Sequence, residues 1–282
     1  MQRMAKRFSR RDLLETSALN GKRIVVTRTR EQSRGLVERL TELGAEVIVC
    51  PAIAIAPPDS FAALDTAIRN LARYHWIIFT SANAVRAFSE RFALIAQPAD
   101  ALSRLRMAAV GSATANTLTE LLRNPDVTPD LYQADAILPL MGNVRAQHIL
   151  IPSADIARDA LAKGLRERGA TVDSVITYRT VAAPEISELA ETVRSCSVNA
   201  IVFASPSSVR YALRALDDIG ITPASLSRRS SRPAFICIGD VTAAAARELG
   251  LTVDATAAEH TTEGLVAAIT DWFESRDENV AT

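Results

Sequence analysis

Trp76-Ile77-Ile78-Phe79-Thr80-Ser81-Ala82-Asn83-Ala84-Val85 is an apolar run that ends on hydroxyl residues and then takes on a helical pattern. The chain repeats it as Ala200-Ile201-Val202-Phe203-Ala204-Ser205-Pro206-Ser207-Ser208-Val209. Two more blocks recur in the same order. Arg23-Ile24-Val25-Val26-Thr27 through Gly44 matches His148-Ile149-Leu150-Ile151-Pro152 through Gly169, and Ala109-Val110-Gly111-Ser112-Ala113-Thr114 matches Cys237-Ile238-Gly239-Asp240-Val241-Thr242. The offsets are 125, 124 and 128 positions, taken from Gly44 to Gly169, Ser81 to Ser205 and Thr114 to Thr242. Blocks recurring in order at nearly one spacing mark two copies of one domain, and the spacing is far too long for a solenoid. Two like domains facing each other would make a cleft.

The length of 282 residues accommodates two domains that each bury a core. Hydrophobic residues make up 48%, and Lys+Arg balances Asp+Glu at 32 each, so no basic excess points to nucleic acid. No apolar run reaches the length of a membrane span. Cys50, Cys196 and Cys237 are odd in number and unpatterned, which fits reduced thiols in a cytoplasm better than a disulfide scaffold or a metal site. Residues 1–23 are basic, with Arg3, Lys6, Arg7, Arg10, Arg11, Lys22 and Arg23 against Asp12 and Glu15. Arg10-Arg11 superficially resembles an export signal, but no apolar stretch follows, so the segment reads as a mobile extension.

Ile24 to Val26 reads as a strand, Glu31 to Leu43 as a helix with Leu36, Leu40 and Leu43 on one stripe, Gly44 as its stop, and Val47 to Cys50 as a second strand. The copy repeats this β-α-β unit from Ile149 to Ile176. Further apolar strands at Ile77 to Phe79, Met107 to Val110, Ile201 to Phe203 and Phe235 to Ile238 alternate with helices. Such alternation predicts parallel sheets covered on both faces, so each half is expected to be a doubly wound, flavodoxin-like α/β domain. Pro51 to Pro58 and Thr177 to Pro184 occupy equivalent places in the repeat and read as paired extended connectors between the domains. On that topology a discontinuous first domain takes residues 24–52 and 181–275, and the second takes residues 53–180. A simple split near Met141-Gly142-Asn143 fits the repeat equally well.

In an open parallel sheet, ligands bind beyond the carboxyl ends of the strands, where helix N-termini direct free N–H groups outward. Thr27, Thr80, Ser81, Ser112, Thr114, Ser153, Ser205, Ser207, Ser208 and Thr242 lie at those places. Each could be no more than a helix cap. As a set recurring in both halves they would suit a ligand carrying several carboxylates or phosphates. Gly111 and Gly239 lack the companions of a phosphate loop or a dinucleotide fingerprint and are expected to let the backbone turn tightly. His75, His148 and His260 are scattered, and the first two precede strands at their amino ends. Tyr178, on a connector, can donate a proton or plug the space between domains. Arg28, Arg30 and Arg158 could attract an anion or be solvated first-turn residues.

Taken together, the chain resembles the uroporphyrinogen-III synthases from about Lys22 to Ile269. The resemblance rests on the joint order of Ile24-Val25-Val26-Thr27-Arg28, the Trp76 to Val85 block, Val110 to Ala115, Val175-Ile176-Thr177-Tyr178-Arg179-Thr180-Val181, Phe203 to Ser207 and Ile238 to Ala243. It implies two flavodoxin-like domains joined by a two-stranded connector. It also implies cyclisation of hydroxymethylbilane, a linear tetrapyrrole with eight carboxylates, to uroporphyrinogen III. The terminal hydroxyl leaves to give an azafulvene, ring D attacks through its substituted carbon, and a spiro intermediate fragments and recloses with ring D inverted. The resemblance implies no metal or organic cofactor, and it implies a cytoplasmic monomer that contacts neither nucleic acid nor membrane, with possible transient docking to the preceding pathway enzyme. It gives Tyr178 the role of assisting hydroxyl departure, and Thr27, Arg28, Ser81, Thr114, Ser153, Ser205, Ser207 and Thr242 that of binding substrate. The chain departs from the family pattern at Pro152-Ser153-Ala154, where an Arg-Gly pair is usual, and at Ala82 and Asp240, where proline is usual. Those departures leave an alternative open, a catalytically degenerate module of the same fold that binds an anionic small molecule.

Overall fold

The computed structural model describes residues 18–95, 98, 100–129, 134–156, 159–195, 198–227 and 232–280. Arg158, Cys196 and residues 1–17 of the basic extension lie outside that set. The chain forms two compact units, one holding the sequence up to Ala54 and from Ala182 onward, the other Ile55–Val181. Met141-Gly142-Asn143 lie inside the second unit rather than at a boundary.

The first unit is built on strands β1 (Arg23–Val26), β2 (Glu46–Val49), β8 (Ala200–Phe203), β9 (Ala234–Cys237) and β10 (Ala255–Thr256), ordered β10-β9-β8-β1-β2 with every pair parallel. Counted within the unit this is the 2-1-3-4-5 order of the flavodoxin-like fold. The second sheet comprises β3 (Ile53–Ala56), β4 (Trp76–Phe79), β5 (Arg106–Ala109), β6 (His148–Ala154) and β7 (Thr171–Ala182), ordered β3-β7-β6-β4-β5. Through the sequence repeat, β7-β6-β4-β5 corresponds to β2-β1-β8-β9. The fifth position is filled by Val127, which makes an isolated parallel bridge to Ala108, as Ala255 of β10 pairs with Ile236. The second unit is therefore the same sheet entered at a different strand. β3 and β7 are the two crossings between units, and they are neighbours in the sheet.

Why β4 and β8 carry no polar residue follows from what covers them. Side chains alternate across a strand. In β4, Ile77 and Phe79 join one core with Leu64, Ile68, Val85, Phe88 and Leu150, whereas Trp76 and Ile78 join another with Ile149, Ile151, Leu161 and Leu165. In the first unit Ile201 and Phe203 pack with Val25, Phe235 and Leu213, and Ala200 and Val202 with Ile24, Val26, Leu36 and Ile269. Both faces are buried under helices, so an alternating polar pattern would place polar groups in a core. Leu19 belongs to the last of these cores and is fully buried. The extension expected to reach residue 23 thus ends sooner, because an apolar side chain with a core to enter is held by it. At the other end the last helix, Thr262–Val280, runs on past residue 275.

The repeat extends to single hydrogen bonds. Gly44 and Gly169 take φ of 86° and 83°, and their N–H groups close the preceding helices onto Thr41 O and Arg166 O at 3.0 and 2.9 Å. A side chain is strained in that left-handed conformation, which is why glycine stops both helices. The outer edges are clamped alike. Asp126 N–H donates to Met107 O and its carboxylate accepts Met107 N–H, both at 2.7 Å, while Asp254 does the same with Phe235 at 2.9 and 2.8 Å. Arg232 closes a two-pronged ion pair on Asp254 at 2.6 and 2.8 Å. Asp254→Ala would leave the Arg232 guanidinium and a buried N–H without their acceptor. It is expected to lower stability by about 2–3 kcal/mol, read as a reduced urea midpoint.

Candidate functional site

The site is built where β6 and β7 lose register. Ser153 pairs with Ile176, and the next residue, Ala154, pairs with Tyr178, so Thr177 is an extra residue in the ladder. Thr177 is buried and its hydroxyl donates to Ser153 O at 3.1 Å. A bulge of this kind re-aims the side chain that follows it. That side chain is Tyr178. It packs in the core of Val175, Phe79 and Leu150, and it is 8% exposed.

The Tyr178 hydroxyl lies 3.0 Å from Ser81 Oγ. Ser81 is the N-cap of the helix Ala82–Leu94 and accepts Ala84 N–H at 3.1 Å, which fixes its rotamer. Either hydroxyl can donate across the pair. Burial pushes the Tyr178 phenol above its ordinary pKa, the Ser81 hydrogen bond opposes that shift, and the charge of Asp155 adds to it. The phenol is therefore protonated at neutral pH and can act as a donor.

A cavity of 390 Å³ opens onto this pair. Thr80, Ser81, Ser153, Asp155, Asp159 and Ser174 supply its polar wall, and Ile151, Ala154, Leu161, Ala162, Ile176 and Tyr178 the rest. A second cavity of 270 Å³ lies behind Tyr178, lined by Ile55, Pro57, Phe61, Leu94 and Thr177 among others. Tyr178 is the wall shared by both. Ser153 sits at the end of β6, 8% exposed, in the place of the Arg-Gly pair. With proline in front of it, this strand end presents a small hydroxyl to the cavity. Sequence reading missed Asp155, Asp159, Ser174 and Thr177. The available signal was the acidic residue just past a strand end that already carried a candidate serine.

The remaining candidates fall elsewhere. Thr27 is fully buried and its hydroxyl donates to Val202 O at 2.7 Å, so it ties β1 to β8 and is not presented to a ligand, contrary to its assignment as a contact. A threonine one residue past a strand can satisfy a carbonyl of the neighbouring strand, and here that bond takes its only proton. Arg28 is half-buried. Burial lowers its pKa, and it makes no ion pair among the described residues. Arg30 begins a helix and is exposed. Ser205 caps the helix Pro206–Asp217 in a reciprocal box with Ser208 at 3.1 and 3.2 Å, with Ser207 half-buried beside it. Thr114 and Thr242 are 5% and 3% exposed in the first turns of their helices, and Thr114 does not line the Tyr178 cavity.

Gly239 differs from expectation in its reason. Its φ of 175° is ordinary extended backbone, but a Cβ there would lie 2.0 Å from His260 Nε2. Glycine here leaves room for the His260 ring, which would have to shift to admit a side chain. Asp240 is exposed in the first turn of the helix it begins, where a carboxylate complements the helix dipole. Ala82 takes the first helical position that Pro206 holds in the copy, and both suit it. His75 accepts His148 N–H at 3.1 Å at the amino ends of β4 and β6, on the far side of the sheet from Tyr178. Cys50 and Cys237 are buried thiols, and burial raises Cys237 to about 12, which makes it unreactive. Among the described residues no three His, Cys, Asp or Glu side chains converge as a metal site, and no helix is long and apolar enough to cross a membrane.

Replacing Ser81 by alanine removes a cap and the partner of the phenol. Ser81→Ala is expected to cost about 1 kcal/mol of stability in urea unfolding. It should also move the alkaline titration of Tyr178 to higher pH, because the bond it removes is the one that lowers that pKa.

Comparison with known proteins bears on what this geometry is for. The family model described as "Uroporphyrinogen-III synthase HemD" matches residues 34–267. A uroporphyrinogen-III synthase of Synechococcus elongatus is 32% identical over 258 residues, which cover 90% of this chain and 96% of that protein. A porphyrin biosynthesis protein HemD of Ruminiclostridium josui is 32% identical over 238 residues, 83% of this chain and 45% of its own. In fold, the chain is similar to a solved mutant uroporphyrinogen III synthase of Thermus thermophilus, with a TM-score of 0.67, 20% identity and coverage of 90% and 100%. The uroporphyrinogen-III synthetase of Helicobacter pylori gives a TM-score of 0.60 at 16% identity, covering 89% and 99%.

Proposed function

The chain belongs to the uroporphyrinogen-III synthase family, and from that premise we propose that it cyclises hydroxymethylbilane to uroporphyrinogen III, with Tyr178 and Ser81 as its proton-donating pair. The observation that carries the site is their 3.0 Å contact in a polar-walled cavity, with the phenol held protonated by burial.

The chemistry asks little of side chains. As the C–O bond of the terminal hydroxymethyl group breaks, the hydroxyl takes the phenolic proton and leaves as water. The pyrrole nitrogen lone pair fills the electron gap at carbon, giving the azafulvenium form of the intermediate. Attack by the substituted carbon of ring D forms the spiro centre. After fragmentation and reclosure, the proton lost in restoring the aromatic ring returns to the phenolate, so the balance is one hydroxymethylbilane to one macrocycle and one water. What an enzyme must add is orientation of a flexible chain, which is an effect of positioning more than of acid strength. Ser153, Arg28, Ser205, Ser207, Thr114 and Thr242 are read as contacts for the substrate's carboxylates. Helix N-termini in both units supply backbone N–H groups of the right polarity. The last two threonines would have to be uncovered to serve.

We read the protein as a cytoplasmic monomer. The balanced charge and unpatterned cysteines support the compartment, and the cores completed within each unit support the single chain. Docking to the enzyme that supplies hydroxymethylbilane belongs to the same reading.

The test is incubation of the purified chain with freshly generated hydroxymethylbilane and separation of the isomeric products. Enrichment of the type III isomer over the enzyme-free blank is expected, and a mixture no richer than the blank overturns the reading. Binding without turnover would favour the degenerate anion-binding module. Tyr178→Phe is expected to lower kcat by roughly tenfold to a hundredfold, the range of a single proton donor, while the urea midpoint moves little.

A further inference from the structure

Ser174 and Ile176 line the cavity beside Tyr178, and the proton transfer assigns them no task. They stand two apart on one face of β7, and the ladder pairs Ile151 with Ser174 and Ser153 with Ile176. Ladder partners project to the same side of a sheet, as do alternate residues of one strand. The four side chains therefore form a checkerboard on one face, with the isoleucines on one diagonal and the serines on the other, and all of them line the cavity. Its β6 half is nearly closed, since Ile151 and Ser153 are 5% and 8% exposed. The β7 half is open: Ser174 is exposed, and Ile176 is 46% exposed.

The repeat shows why this face is open. Counted from Gly44 and Gly169, Ile151, Ser153, Ser174 and Ile176 correspond to Val26, Arg28, Val49 and Pro51 of the first unit. The helix after β1 runs Arg30–Glu42. Its counterpart ends at the matching Glu167 but begins at Ala160, whereas a full copy would begin at residue 155. In a β-α-β unit the helix starts beside the carboxyl ends of the strands, so a helix shortened at its N-terminus uncovers those ends. Pro51 is buried accordingly, and its counterpart Ile176 is open.

A single exposed isoleucine needs no explanation. Ile176 differs because it stands two residues before Tyr178, in the wall that the Tyr178–Ser81 pair completes. The cavity of 390 Å³ is near the lower end of small-molecule sites, about 300–1,000 Å³, so it admits part of a linear tetrapyrrole and not all of its rings. That part must bring the terminal hydroxymethyl group to the phenol, which selects the ring that carries it. Eight carboxylates on four rings give each pyrrole two charged chains beside an apolar face. The checkerboard offers branched aliphatic carbon to the face and hydroxyl donors to the chains. Asp155 and Asp159 line the same cavity, and like charge turns the chains away from them toward the serines.

We propose that Ile176 and Ser174 seat the pyrrole ring that bears the hydroxymethyl group, Ile176 against its face and Ser174 on a carboxylate chain, and so position the leaving hydroxyl for Tyr178. The inference rests on the synthase reading and names the part of the substrate that this cavity takes.

Ile176→Ser removes the aliphatic contact at a position already open to solvent. Expected is a fall in kcat/KM for hydroxymethylbilane of roughly tenfold or more, with the urea midpoint close to that of the wild type. With enzyme in excess over substrate, the share of type III isomer should fall as well. Ile176→Leu should restore most of both. Ser174→Ala should raise KM by roughly threefold to tenfold and leave kcat little changed. A purely structural role would lower the urea midpoint and leave KM and the isomer share in place. Wild-type kcat/KM and isomer share in Ile176→Ser overturn the proposal.

Titration with pyrrole-3,4-dicarboxylate, one ring with two carboxylates, followed by amide NMR, requires no turnover. Saturable shifts at Ser174, Ile176 and Tyr178 in the wild type, lost in Ile176→Ser, support the seat. Shifts confined to other residues, or equal in both chains, overturn it. A wild-type chain that does not enrich the type III isomer fails the synthase reading, and this titration then decides by itself whether the cavity takes a pyrrole dicarboxylate.

Discussion

A parallel ladder matches residues one to one, and a strand that inserts one extra must hold it by something other than the ladder. Here the holder is the Thr177 hydroxyl, bound to Ser153 O. From that break follow the aim of Tyr178 toward Ser81, the N–H of Asp155 on Tyr178 O, and the capture of Thr180 N–H by Asp155 Oδ1. Beyond Ser153 a continuous ladder would pair Ala154 with Thr177, shifting every later residue of β7 to the opposite orientation. The phenol would then leave the wall shared by the two cavities. The site is thus a local fault in a sheet that is otherwise regular, and hydrogen bonds on both sides of the fault hold it.

The duplicated scaffold shows how such a fault is tolerated. Ser81 and Ser205 cap equivalent helices with the same 3.1 Å bond to the third helical N–H, so each is required by its helix before any ligand enters the question. Their second partners differ. Ser81 offers its hydroxyl to Tyr178, whereas Ser205 is closed into a box with Ser208. Gly44 and Gly169, and Asp126 and Asp254, likewise repeat their bonds almost unchanged. Stability is supplied in duplicate, so specialisation can be confined to the few residues after β6 and within β7 without endangering the rest.

This distribution explains what the sequence discloses. Strands covered on both faces must be apolar throughout, and helix stops and caps need particular residues, so the α/β alternation, Gly44, Gly169, Ser81 and Ser205 are legible directly. The register break is not. Thr177 reads as one more β-branched strand residue, and only its partner across the sheet reveals that it is extra. Thr27 fails in the opposite way: its type and position suit a ligand contact, but the hydrogen bond that buries it comes from β8, 175 residues away. The room that Gly239 leaves was illegible, since the ring that occupies it belongs to His260. Each miss concerns a partner distant in sequence, where local pattern carries no information.

The charges divide by unit in a way that fits two separate tasks. In the first unit Arg28, at the carboxyl end of β1, is a partly desolvated cation with no carboxylate partner among the described residues. Such a group would be stabilised by an anionic partner. In the second unit the described wall of the cavity beside Tyr178 carries Asp155 and Asp159. Holding the substrate and ionising its hydroxymethyl carbon make opposite electrostatic demands, because the first concerns anions and the second a transient cation.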